Sequence, residues 1–80
     1  MNEKEWKEFK QAIVDDGEEL SFLYNSEEWW ISRLYSEEKS YLLTRSKDSF
    51  TQEYATAEEL FSNGMIDGKK FIDRVPDLEW

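Results

Sequence analysis

The sequence predicts one small α+β domain over residues 1–80, with an N-terminal helix, a three- to four-stranded antiparallel β-meander and one or two short C-terminal helices. Three observations predict it. Apolar residues recur at helical spacing through Trp6, Phe9 and Ile13, then switch to alternation through Leu20, Phe22 and Tyr24. Short polar turns divide the alternating region into strand-length pieces. A Thr-x-x-Glu signature at Thr56 and Glu59 then reopens helical spacing. With 39% hydrophobic and 16% aromatic residues, the chain is too apolar for a disordered acidic tail and is expected to fold.

Asn2 followed three residues later by Glu5 makes a capping box, and residues 3 to 15 are predicted to form an amphipathic helix. Gly17 supplies the left-handed residue that ends it. Asp15 and Asp16 sit at the negative end of that helix, where carboxylates oppose the dipole, and this departure is the first hint of function. Strands follow from Glu18 to Tyr24, Glu28 to Tyr35, Tyr41 to Arg45 and Phe50 to Tyr54, separated by Asn25-Ser26, the four residues Ser36 to Lys39, and Ser46 to Ser49. Thr56 opens a helix holding Leu60 and Phe61 until Asn63-Gly64 stops it, Asp67 is read as the cap of one or two further helical turns with Phe71, Ile72 and Val75, and Pro76 ends regular structure.

If Asn25-Ser26 is a two-residue hairpin turn, Phe22 faces Trp29 and Leu20 faces Ile31, on the side that helix one covers. The opposite side is expected to carry Leu23, Trp30, Leu34, Tyr41 and Leu43, which is more apolar than a solvated sheet face. Trp29 and Trp30 must point to opposite sides, and the second ring is read as lying beneath helix two and the C-terminal segment. The alternative is an interface formed by Trp30, Tyr41 and Leu43.

Nineteen acidic residues against ten basic ones give a net charge of −9, and there is no histidine or cysteine. This excludes disulfides, thiolate chemistry and imidazole bases, and it opposes contact with phosphates or an anionic membrane. The run Gly64 to Lys70 has one residue too few between its glycines for a phosphate-binding loop and lacks the following Ser or Thr. Asp15 to Glu19 lacks the ligand spacing of a calcium loop, and the adjacent carboxylate pairs point to opposite faces of their strands. No catalytic residue, metal ligand or cofactor is assigned. The absence of cysteine and of a basic-then-apolar start suits the cytoplasm of a bacterial host cell.

The run Tyr54-Ala-Thr-Ala-Glu-Glu-Leu-Phe-Ser-Asn-Gly-Met-Ile-Asp-Gly-Lys-Lys-Phe-Ile resembles a recurrent ending in small uncharacterised acidic proteins of Firmicutes and their phages. The similarity covers the last thirty or so residues and the preceding hairpins in outline, and Val75-Pro76 interrupts the acidic helix that usually closes the pattern. The element order and charge are also similar to those of some phage anti-CRISPR proteins, which imitate DNA and block a nuclease's DNA-binding site. That second resemblance is one of shape and charge and transfers no residue.

An antiparallel meander brings alternate turns to one end. Asp15, Asp16, Glu18, Glu19, Glu37, Glu38, Glu58 and Glu59 are therefore expected to share a pole, while Arg45 and Lys47 dilute Glu27 and Glu28 at the other. Such a pole would steer the molecule to a basic groove. The function expected is a monomeric, non-catalytic inhibitor or adaptor for a basic, nucleic-acid-handling protein. The alternatives are merely solubilising turns, a self-associating module, or an immunity protein to a nuclease toxin.

Overall fold

The computed structural model describes the backbone of residues 1–35 and 39–80 and the side chains of residues 1–34 and 40–80. Helix α1 spans Glu3–Val14 and begins with the predicted capping box: the Asn2 side chain accepts from the Glu5 amide at 2.8 Å, and the Glu5 carboxylate accepts from the Asn2 amide at 3.0 Å. Its buried face is Phe9, Ala12 and Ile13. Gly17, at φ +67°, turns the chain toward the sheet.

The meander is β1 (Leu20–Tyr24), β2 (Glu27–Tyr35), β3 (Lys39–Arg45) and β4 (Phe50–Tyr54). Asn25 and Ser26 both adopt positive φ, 51° and 65°, which is the type I′ geometry whose twist matches a two-residue hairpin. The predicted register follows, with Leu20 opposite Ile31 and Phe22 opposite Trp29. At the far turn, the Arg45 guanidinium grips Asp48 through two hydrogen bonds of 2.9 and 2.6 Å.

Three features differ from the sequence reading, two of them in the C-terminal third. Asp67 does not cap a helix. With Gly68 it forms a second positive-φ pair, at 50° and 85°, which joins two-residue strands β5 (Met65–Ile66) and β6 (Lys69–Lys70). Helix α2 (Ala57–Asn63) precedes this hairpin, and α3 (Phe71–Arg74) follows it with Lys70 at its N-cap. Nor does Pro76 end regular structure, because after a 3-10 turn at Val75–Asp77, β7 (Leu78–Glu79) pairs with β1. The sheet is therefore five-stranded, ordered β4-β3-β2-β1-β7. The Met1 nitrogen, donating to the Val75 and Leu78 carbonyls, holds this last segment in place.

The third difference concerns the sheet faces. All three helices lie on one side, around a core that includes Phe9, Ile13, Phe22, Trp29, Ile31, Leu43, Leu60 and Leu78. Phe71 is wholly buried at its centre, with ring centroids 5.4 Å from Phe22, 5.5 Å from Phe61 and 5.7 Å from Trp6. Two contacts bind the C-terminal third to this side. A Cβ on Gly64 would stand 2.5 Å from the Leu60 carbonyl and 3.1 Å from the Leu43 side chain, so α2 ends tight against β3. The Gln52 amide both donates to the Met65 carbonyl and accepts from the Met65 amide, at 2.8 Å each. Eighty residues supply apolar surface for one core layer, and that layer is here. Trp30 is consequently uncovered, at 46% exposure, rather than packed beneath α2.

Tyr41 and Leu43 also stand on the helix side, not beside Trp30. A four-residue turn from Ser36 to Lys39 would set Leu34 opposite Tyr41, but the observed pairs are Leu34 with Ser40 and Arg33 with Tyr41. A one-residue change of register sends every side chain of a strand to the other face. Leu43 is thus fully buried opposite Ile31, and Leu42 takes the outer position.

Candidate functional site

Two surfaces follow from this architecture. The first is the pole where α1 ends. No basic residue occupies the last turn of α1, and Asp15 and Asp16 beside it are exposed. The missing cation comes from β2: the Arg33 guanidinium donates through Nη2 to the Ile13 and Val14 carbonyls and, at 2.7 Å, to the Tyr41 hydroxyl. It also lies over the Tyr41 ring, 4.8 Å from the centroid. A half-buried guanidinium at a helix C-terminus compensates the dipole that the two aspartates oppose, so the anomaly at Asp15-Asp16 has a structural answer.

Arg33 and Tyr41 form part of the wall of a cavity of about 380 Å³, whose other lining includes Val14, Leu34, Thr56 and Glu58. The end of α1, through Val14, and the start of α2, through Thr56 and Glu58, therefore both line it. Glu18 and Glu19 are exposed between α1 and β1. Glu58 and Glu59 are exposed in the first turn of α2, where they favour the dipole while the Thr56 hydroxyl accepts from the Glu59 amide at 3.1 Å. Glu37 and Glu38 lie outside the described residues. Among the described residues, no three acidic side chains come close enough to hold a metal ion.

The opposite end shows the expected dilution. Lys47 reaches Glu27 at 3.3 Å, and the Ser46 hydroxyl donates to Glu28 at 2.9 Å. The Arg45 hydrogen bonds, with help from the Phe50 amide, hold the Asp48 carboxyl well below its ordinary range, at about 2.

The second surface is the outer sheet face. Here the register aligns Ser21, Trp30, Thr44 and Thr51 across four strands, with Leu23 beside Glu28 and Leu42 beside Glu53 in the flanking rows. Leu23, Trp30 and Leu34 are 40%, 46% and 44% exposed. Diagonal neighbours on a sheet lie within reach of long side chains, so Leu23, Trp30, Leu42 and Leu34 make one oblique apolar stripe. Three carboxylates border it: Glu28, Glu79, and Glu53, which accepts from the Ser40 hydroxyl at 3.1 Å. No lysine or arginine side chain projects from this face among the described residues.

Sequence reasoning missed Arg33 because its partner is a helix end nineteen or twenty positions away in the chain. It placed Trp30 on the right side of the sheet together with Leu23 and Leu34, but put Tyr41 and Leu43 there where Leu42 stands. Comparison with known protein families, curated proteins and solved structures finds no match. No helix among the described residues is long and apolar enough to cross a membrane.

Proposed function

We propose that this chain is a non-catalytic acidic binding protein, an inhibitor or adaptor whose partner is a basic, nucleic-acid-handling protein. The observation that carries this reading is how little of the negative charge is neutralised internally. Against nineteen acidic residues, the described residues form two ion pairs, Arg45 with Asp48 and Lys47 with Glu27, both at the end away from α1's C-terminus. Arg33 and Arg74 are turned instead toward backbone carbonyls. Most of the carboxylate field is therefore directed into solvent, where it raises the encounter rate with a basic surface at the cost of self-repulsion.

A DNA-mimic inhibitor of a nuclease is one form this function takes, and an immunity protein to a nuclease toxin is another with the same physics. Self-association is less well supported, since two outer faces brought together would oppose their carboxylates with no intervening cation among the described residues. The test is capture of host proteins at low and moderate salt by the native chain and by a variant carrying Asp15→Lys, Asp16→Lys, Glu58→Lys and Glu59→Lys. A basic partner, captured less by the variant and less at the higher salt, supports the reading. A neutral or acidic partner retained by both would overturn it.

A further inference from the structure

We infer that the outer sheet face is the docking surface, and that Trp30 there takes a guanidinium from an arginine-bearing surface of the basic partner. This rests on the proposed function and names its contact. The decisive pattern is the placement of cations over rings. Arg33 lies 4.8 Å from the Tyr41 centroid, Arg74 4.8 Å from that of Tyr24, Arg45 5.3 Å from that of Phe50, and Lys10 5.0 Å from that of Trp6. All three arginines of the chain are committed in this way. Trp30 is nearly half exposed, and no cation of the chain lies over it among the described residues.

Indole is the best side-chain acceptor of a cation, and guanidinium, planar and weakly hydrated, is the group that stacks on it. Glu28 stands two residues before Trp30 on the same face of β2, Glu53 stands beside Leu42 at the Leu34 end of the stripe, and each accepts from a serine hydroxyl that restrains its position. A guanidinium on Trp30 would have Glu28 on the same face of the same strand, a second cation farther along the stripe would find Glu53, and Leu23 and Leu34 would take aliphatic side chains flanking the arginine. An aromatic anchor amid apolar contacts with a charged rim is the usual anatomy of a protein interface. Charge selects the occupant: a second copy would bring carboxylate to carboxylate, whereas a basic surface finds complements throughout.

The test is a titration of the isotope-labelled chain with two synthetic peptides, one alternating arginine and leucine, the other glutamine and leucine, followed by NMR. The arginine peptide should move the Trp30 indole resonance and the amides of Leu23, Leu34 and Glu53, and the glutamine peptide should not. Trp30→Ser should weaken the arginine peptide about tenfold, whereas Trp30→Phe should retain most of the binding. Shifts confined to the end of α1 and the start of α2 would overturn this inference and leave the basic-partner reading standing. No shift anywhere with the arginine peptide would overturn both. Shifts at Trp30 that grow with protein concentration in the absence of peptide would overturn the inference in favour of a second copy.

Discussion

Replacing Arg33 by Met keeps an unbranched stem of similar reach and removes the guanidinium donors to the Ile13 and Val14 carbonyls at the end of α1. The structure sets the magnitude. Two hydrogen bonds from the guanidinium are well placed, to the Ile13 carbonyl and the Tyr41 hydroxyl, while the one to Val14 is long at 3.4 Å and exposed. A hydrogen bond from a charged group contributes about 1.5–3 kcal/mol net, and because water in the adjoining cavity can resolvate these acceptors the lower end applies to each. The stack on Tyr41 adds about 0.5 kcal/mol, giving a loss near 3–4 kcal/mol. For a domain of this size the stability itself is only roughly 4–12 kcal/mol, so the variant should melt about 12–32 °C lower. Arg33→Lys should fall between, since one ammonium keeps the charge but cannot reproduce the planar fork. Thermal unfolding followed by circular dichroism checks this. A loss below about 1 kcal/mol for Arg33→Met would mean that the helix end is satisfied by solvent and that Arg33 does not hold the pole together.

Phe71→Ala should cost about 3–5 kcal/mol, measured by urea unfolding, because the ring is wholly buried among Trp6, Phe22 and Phe61; wild-type-like unfolding would displace it from the centre of the core. Ser26→Gly should raise the urea midpoint, a gain of about 0.5–1 kcal/mol, since Ser26 holds a φ of 65° that glycine adopts without steric penalty. Asp48 has a carboxyl pKa of about 2, below its unfolded value, so its stabilising contribution is complete above the unfolded value and disappears as pH falls toward 2. Asp48→Asn should therefore be less stable than the native chain at neutral pH and converge with it in acid, and a constant difference across that range would refute the pairing with Arg45.

The parts of the fold that were readable in the sequence are those where local chemistry acts alone. Asn2 and Glu5 fix the start of α1, and Asn25-Ser26 fixes both a turn and the register of β1 on β2. The Asp67-Gly68 hairpin carried the same dipeptide signal and was obscured by the helical spacing of Phe71, Ile72 and Val75 around it. Strand β7 left no signal, because two residues are too few to show a period and its position depends on Met1 and β1, both distant in sequence. On the outer face, Leu23, Trp30 and Leu34 were legible from alternation within β1 and β2, but the residue that β3 adds to them was not. Whether Tyr41 or Leu42 joins Trp30 depends on one residue of turn length, a quantity that composition does not encode.

The stacked arginines divide the chain's cations into two kinds with different freedom to vary. Arg33, Arg45 and Arg74 are each tied to a ring and to a carbonyl or carboxylate, so exchanging any of them disturbs packing as well as charge. Most lysines project into solvent, and substituting or acetylating them would deepen the negative field while leaving the architecture intact. A lineage carrying this fold could therefore tune the strength and salt sensitivity of an electrostatic encounter through its lysines alone. The arginines, held by the architecture, would persist as the less variable part of its positive charge.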